Sequence, residues 1–570
     1  MLPPLVCRVV YSAGASPRPT LQCQSTIIIS SINYNLKHKK AGVEGEPLRD
    51  CGLHFAFISS PTKSNLLKSI YSCVILSTDK WKRRIFMSKK QPKPQNPLWQ
   101  TTKVERKSYY TYFFGQNMIY SMLASYLTTF LLLIGVDPVK SAAVMLIVKV
   151  WDAVNDAIFG VIFDKIKFKS TQKYIPWLKI ACALTPAATI AVFIIPNAAS
   201  ETVKLIWFAL AYIVWDTAYT LCDVPAFGII TAMTSNVEER NTILSLKGIT
   251  GGIGTALTTV LVSVLISEFI GFGYGPVSIV VAIVAMATMF PICKHCQERN
   301  KTTDEEQFTV RRMLKYVISN KYLLIYYIGY IFYSGAQTYN ALHVITAYYI
   351  YGNSLASLIT GTVAALPQLI MALLVPKIIR KMDKAKLFRI SAIATIILSF
   401  LIIPTRSSFV LFIITYMLRS IPLGIIGVLS FTFTPDCAEY GQYTTGTEAK
   451  GITFAIQTFA VKLAAAISGS MGLALLGWFG FKTKFMVDGA EQQISSFADL
   501  EAINAISLQS AEALDGLWFT YNVVPIIGLV IALVIWCFYK LNDKDVQVMA
   551  DCNVGKITKD EAKKLLSRKY

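Results

Sequence analysis

The sequence predicts an all-α membrane protein of twelve transmembrane helices in two six-helix halves. Three observations carry that prediction. From Tyr109 onward, apolar segments long enough to cross a bilayer (about 20 residues as helix) recur with short polar breaks. The 570 residues are 54% hydrophobic and only 16% charged, with a mean hydropathy of +0.48, too little polar surface for a soluble chain of this length. Basic residues gather in alternate connections between the apolar segments, as the positive-inside rule requires. No alternating pattern suggests a membrane barrel.

Residues 1–86 differ from the rest: they mix Pro, Ser, Cys and basic residues with apolar runs too short to span. They also lack the n-region, h-region and cleavage site of a signal peptide. The expectation is a disordered or non-native extension. Met87-Ser-Lys-Lys-Gln-Pro resembles an ordinary cytoplasmic start, and Arg83-Arg84 coded AGG-AGG would form a ribosome-binding sequence just upstream of it.

Spans are predicted at 110–134, 142–166, 174–196, 202–230, 248–270 and 273–293, then at 322–351, 355–380, 386–404, 408–435, 449–478 and 516–539. The organisation expected is a cytoplasmic N-terminus (87–109), an N-terminal six-helix bundle (110–293), a cytoplasmic linker (294–321), a C-terminal bundle (322–539) and a cytoplasmic tail (540–570). Lys165, Lys167, Lys169 and Lys173 follow span two, and Lys377, Arg380, Lys381, Lys384, Lys386 and Arg389 follow span eight. Arg311, Arg312 and Lys315 lie in the linker, whereas the long connection 480–515 is mostly acidic. Both termini are therefore expected in the cytoplasm, in a multi-pass protein of the plasma membrane. The formal net charge of +21 belongs to these loops, and no nucleic-acid partner is expected.

The two halves echo each other. A basic loop follows spans two and eight, and a proline sits beside a carboxylate in Asp223-Val-Pro225 and in Pro435-Asp436. Such repeats mark secondary transporters, with a site at mid-membrane between the repeats. No GxxxxGK[ST] loop occurs, so ATP is not the expected driving force.

The chemistry concentrates in Lys149-Val-Trp-Asp-Ala-Val-Asn-Asp156, inside span two. Asp152, Asn155 and Asp156 are spaced i, i+3, i+4 and share one helix face, with Lys149 one turn earlier. Each charge at the centre of a membrane helix costs about 2.5–3.5 kcal/mol, so these groups should face a wet cavity, bind a cation or pair with one another. Carboxylates and an amide suit a hard cation such as Na+, and either acid can instead carry H+.

The remaining polar groups give weaker signals. Eleven scattered cysteines form no disulfide framework, and Cys293-Lys-His-Cys296 lacks a second ligand pair. His343 reads as a packed histidine. Trp177, Trp207 and Trp536 read as interfacial anchors, Gly251-Gly252 and the run 464–469 as close helix contacts. Tyr326, Tyr327, Tyr330 and Tyr333 are candidates to line a path through span seven.

Trp151-Asp-Ala-Val-Asn-Asp156, Tyr174-Ile-Pro-Trp177, Tyr219-Thr-Leu-Cys-Asp-Val-Pro225, Asp436-Cys-Ala-Glu-Tyr-Gly441 and Gln457-Thr-Phe-Ala-Val-Lys462 occur in order, with Tyr112-Phe-Phe-Gly-Gln-Asn117 before them. Together they resemble the glycoside–pentoside–hexuronide:cation symporters, a branch of the major facilitator superfamily, over about Pro97 to Asp545. The resemblance implies a cation site at Asp152, Asn155, Asp156 and Thr220, with Na+ or H+ held at Asp152 and Asp156. It also implies sugar binding at Asp223 and at Gln457 and Thr458, and a cavity-facing Lys462, which we expect to approach the Asp152/Asp156 pair. Lys149, Asp436, Glu439 and Arg240 complete the implied charge network, Arg240 at a cytoplasmic gate.

Departures from the family pattern fall on the sugar side. The melibiose-carrying members have a Lys-Asp pair in span one, where this chain has Gln116 and Asn117. Phe227 stands where they stack sugar on tryptophan, and Lys247 is the candidate for a displaced arginine. The function implied is alternating-access symport of a sugar with Na+ or H+ by a monomer, without other cofactor. The alternative on the same fold is transport of a lysolipid or other amphiphile. An enzyme is not expected, because the loops hold no Ser/His/Asp set or metal-ligand cluster.

Overall fold

In the computed structural model, residues 99–166, 168, 172–300, 316–446 and 450–570 are described, together with two short strands near the N-terminus. Side chains at 153, 154, 156–158, 160–165 and 450 lie outside that description. So do those of the linker residues Arg311, Arg312 and Lys315 and of Lys167 and Lys169. The chain divides into two units, Met1–Pro97 and Leu98–Tyr570. In the first, β1 (Val9–Val10) pairs antiparallel with β2 (Thr20–Leu21); the remainder of the predicted extension is outside the described residues.

The second unit is a helical bundle. Helix α1 (Lys103–Leu133) starts at a capping box: Thr102 Oγ1 accepts from Glu105 N at 3.2 Å and the Glu105 carboxylate accepts from Thr102 N at 2.7 Å. Helix α2 (Pro138–Lys165) begins on a proline, which needs no amide partner at that position. Helices α3 (Ile175–Phe193), α4 (Glu201–Met233), α5 (Val237–Ile266) and α6 (Tyr274–Met289) follow, then the single turn α7 (Pro291–His295). The second half contains α8 (Lys321–Gly335), α9 (Tyr339–Tyr351), α10 (Ala356–Ile378), α11 (Lys384–Ile402), α12 (Phe409–Ser430), α13 (Phe433–Thr445) and α14 (Lys450–Trp478). A structured connection comes next, holding the hairpin β3 (Met486–Val487) and β4 (Ala490–Glu491), and the short helices α15 (Phe497–Ala502) and α16 (Ala505–Leu508). It leads to α17 (Ala511–Trp536) and the polar helices α18 (Asp543–Asn553) and α19 (Lys559–Leu565).

Among the described residues, nine helices are long and apolar enough to cross a membrane. The other three predicted spans also fall on helix but miss that measure, each for a visible reason. Tyr, Ser, Thr and Gln dilute α1, and Lys149, Asp152 and Asp156 add charge to α2. Span seven is broken at residues 336–338 into α8 and α9. Span five differs from expectation at its start: α5 begins at Val237, not 248, because Asn236 Oδ1 accepts from Glu239 N at 3.0 Å and carries the helix through a polar first stretch.

Packing joins α1 to α5 and α6, α3 to α4, α12 to both α10 and α11, and α8 to α17. The long contact between halves is α2 against α14. There a Cβ on Gly477 would stand 2.4 Å from Val139 and one on Gly469 3.0 Å from Met145 Sδ, so glycines let these helices approach closely. Toward the end carrying residues 480–510, further contacts tie the halves together: Glu268 accepts from Ser354 N and Oγ, Lys484 meets Glu201 at 3.1 Å, and Asn197 donates to Ser495.

Two tryptophans expected at the membrane interface are packed inside instead. Trp177 is buried against Phe168, and Trp536 donates to Tyr326 O at 3.1 Å with its indole over Gly329. Trp207 is partly exposed, as an anchor would be. His343 bonds Asn340 O at 3.1 Å through Nδ1 and lies beside Tyr126. Gly251 sits against Asn117, whereas Gly252 faces open space.

Candidate functional site

Halfway along α2, Asp152 meets Lys462 of α14, with Oδ1 2.6 Å from Nζ. This ion pair joins the two halves, and it is partly open: the side chains keep 14% and 26% of their surface. One turn along α2, Asn155 is fully buried. Its Nδ2 donates to Thr220 Oγ1 at 2.9 Å and to Asp216 Oδ2 at 3.2 Å, while its Oδ1 accepts from Thr217 at 3.4 Å. Asp156 shares the helix, but its side chain lies outside the described residues.

Asp216 joins this cluster although the motifs did not point to it. It is buried, and the charges of Asp152, Lys462 and Lys149 act on it. The available signal was spacing: Asp216, Thr220 and Asp223 lie at i, i+4 and i+7, one face of α4. Oxygens from α2 and α4 thus converge on Asn155. Rotating that amide by 180° exchanges its donor for an acceptor and presents an oxygen to the same point, a set of ligands suited to Na+. Lys149 reaches the face of Tyr212, 4.9 Å from its centroid.

One turn beyond Thr220, Gln116 Nε2 donates to Asp223 Oδ1 at 2.7 Å. The Asp223 carboxylate acts electrostatically on Lys247, whose Nζ stands 3.6 Å from the ring centre of Phe227 and 4.2 Å from that of Phe113. Lys247 therefore stands between Asp223 and these rings, and the Phe227 ring stays half exposed. Asn117 is turned away: it donates to Phe113 O at 2.8 Å and packs on Gly251.

From the second half, Gln457 Oε1 accepts from Thr434 Oγ1 at 2.5 Å and from Tyr327 OH at 3.4 Å. Thr458 is exposed and donates back to Phe454 O. Tyr326, Tyr327, Tyr330 and Tyr333 are all buried in packing, and Tyr327 also bonds the predicted site residue Gln457.

The remaining charge-network residues lie at the end of the bundle, not beside Asp152. Asp436 pairs with Lys384 at 2.7 Å and Lys384 with Asp543 at 3.2 Å. Glu439 accepts from Asn553 at 2.8 Å, so both acids fasten α18 to the second half. Arg240 makes no ion pair among the described residues. Its neighbour Glu239 is fully buried, accepting from Thr101 N at 3.0 Å and Thr234 Oγ1 at 2.6 Å, with Arg106 3.5 Å away. Glu298 accepts from the amides of Lys173, Tyr174 and Ile175 at 2.7, 2.7 and 2.8 Å, a carboxylate at the positive end of α3.

Cys293 approaches Cys182 at 3.7 Å, and Cys296 donates to Glu105 O. Among the described residues no three His, Cys, Asp or Glu side chains are grouped to hold a metal ion. A cavity of about 280 Å³ lies at the loop end, lined by Lys204, Glu201, Lys484 and Glu491, away from the midplane residues.

The chain is similar to known proteins over most of its length. The isoprimeverose transporter of Lactiplantibacillus pentosus is 23% identical over 467 residues, covering 78% of this chain and 90% of that one. The glucuronide carrier protein homolog of Escherichia coli K12 is 25% identical over 450 residues, covering 75% and 91%. Among solved structures, the nucleoside transporter NupG superposes with a TM-score of 0.52 at 14% identity, over 77% of this chain and 100% of that chain, a likeness of fold. These relatives are membrane transporters, not enzymes. The family profile described as MFS/sugar transport protein matches residues 109–543. With its apolar helices and this match, the chain belongs to the MFS/sugar transport protein family.

Proposed function

We propose that this protein is a sugar:cation symporter that works by alternating access. The observation that carries this reading is the Asp152–Lys462 ion pair across the halves, one turn from Asn155 and Thr220. A cation entering among Asp152, Asn155, Asp156, Asp216 and Thr220 competes with the Lys462 ammonium for carboxylate charge. That competition changes the contact holding the halves together. Thr220 and Asp223 are one turn apart on one face of α4, so the ordering of one site is felt at the other. By linkage, sugar must then raise cation affinity by the factor that cation raises sugar affinity.

The sugar lies at Asp223 and Gln116, against Phe227, with Lys247 beside it. The carboxylate and amide bond adjacent hydroxyls, and an aromatic face covers the apolar side of the ring. Relatives described as carriers of isoprimeverose, glucuronide and lactose support a glycoside as cargo. The positive-inside pattern supports cytoplasmic termini in the plasma membrane. The contacts Glu268–Ser354 and Glu201–Lys484 close the loop end between the halves.

The test is a thermal-shift panel of mono- and disaccharides with purified protein, with and without Na+ and across pH, since bound ligand stabilises the fold by mass action. A sugar whose stabilisation grows with Na+ or with acid supports symport. Stabilisation by lysolipids but by no sugar would replace the cargo.

A further inference from the structure

Among the described residues, the largest fully buried side chain is an arginine. Arg419, midway along α12, keeps 2% of its surface. Its guanidinium lies over Tyr416 at 4.4 Å and Tyr339 at 5.2 Å, and its charge acts on Tyr333 and Tyr521. Its Nε has no hydrogen-bond partner, and no carboxylate pairs with it among the described residues. Cation–π contacts offset only a small part of what an uncompensated buried charge costs. The guanidinium is therefore held ready without its counter-charge.

Its surroundings suit a ligand. Tyr339 opens α9 directly after the break at 336–338, and an interrupted helix at mid-membrane is a common setting for substrate. On α17, Tyr521 flanks the same space. Two polar groupings of the first half are by contrast engaged internally: Gln116 with Asp223, and Asn155 with Asp216 and Thr220.

We propose that Arg419 is the anchor for a carboxylate carried by the transported molecule, so that the cargo is an acidic sugar. The planar fork of a guanidinium matches a carboxylate in bidentate fashion, and the hydroxyls of Tyr339, Tyr416 and Tyr521 can bond its remaining lone pairs. Hydroxyls of the same sugar would reach Asp223 and Gln116 from the opposite half, so one molecule draws on both halves. This rests on the sugar-transport reading and narrows it.

The experiment compares a matched pair, methyl β-glucuronide and methyl β-glucoside, as ligands of the full-length protein, by thermal shift and by competition. Wild type should bind the acid at least about tenfold more tightly, the preference one bidentate charged contact supplies. Arg419→Gln should abolish that preference while still binding the neutral glycoside, and Arg419→Lys should restore part of it. Equal or weaker binding of the acid by wild type overturns the proposal while leaving the sugar-transport reading intact, and this arm does not depend on any variant folding. A preference for the acid that survives in Arg419→Gln overturns it too. Binding of neither glycoside by wild type counts against the underlying reading itself.

Discussion

Replacing Lys462 by methionine should tighten cation binding, because it removes the ammonium that competes for Asp152. At 2.6 Å, two unit charges attract by about 6 kcal/mol at an effective dielectric of about 20. Desolvation of both groups offsets most of this, and solvent still reaches 14% of Asp152 and 26% of Lys462. A net competition of about 1.5–3 kcal/mol remains, equivalent to about 10- to 150-fold in affinity. The assay is titration of purified protein with Na+ and Li+ at fixed pH, read by thermal shift and by tryptophan fluorescence, since Trp215 adjoins Asp216. Lys462→Met should saturate at lower cation concentration, Lys462→Arg should resemble wild type, and Asp152→Asn should weaken binding whatever stands at 462. An unchanged or weaker cation response in Lys462→Met would refute the competition mechanism.

Three further outcomes follow from particular contacts. A Cβ on Gly254 would lie 2.3 Å from Phe114 O, whereas one on Gly252 meets nothing within 4 Å. Gly254→Ala should therefore lower the unfolding temperature by the equivalent of about 1–3 kcal/mol, and Gly252→Ala should leave it unchanged. Glu268→Ala removes the clasp on Ser354 across the halves. It should raise, several-fold, the labelling of Ser357→Cys, a buried position beside the clasp, by an impermeant thiol reagent, and equal labelling rates would argue against a closed loop end. Burial pushes the Asp545 carboxyl up, but hydrogen bonds from Ser567, Tyr570 and Asn542 outweigh it and hold it below its ordinary value of 3.8. A depressed folded value means that the docking of α18 and α19 is fully supported above the ordinary value and lost as pH falls through the folded one. Hydrogen exchange of residues 543–570, corrected for its intrinsic pH dependence, should stay protected from neutral pH to about 4 and lose protection below it, and Asp545→Asn should lose it at neutral pH.

The helices and the central ion pair were legible in the sequence because their causes are local or chemically forced. An apolar run of bilayer length is helical wherever it packs, and a lysine in span eleven needed an acid, which span two supplied. Asp216 was missed because one acid in an apolar span carries no pattern; only with Thr220 and Asp223 placed on one face of α4 does it stand out. Gln116 and Asn117 point about 100° apart as neighbours on a helix; which of them faces Asp223 is set by how α1 lies against α4 and α5. The break in span seven had only Gly335 and an overlong apolar run to announce it. Trp177 and Trp536 have the composition of interfacial anchors, yet tertiary packing buries both, and residue type alone does not separate the two fates. The folded connection 480–510 has short elements that gain order from resting on the first half, as where Ser495 meets Gly273.

The most direct measurement is uptake of a radiolabelled glycoside into proteoliposomes under an imposed inward Na+ or H+ gradient. The account predicts accumulation above the external concentration, dissipation of that accumulation when the gradient is collapsed, and loss of concentrative uptake in Asp152→Asn and in Asp216→Asn. Uptake that only equilibrates, at the same rate with and without either gradient, would contradict cation coupling through the α2 and α4 carboxylates.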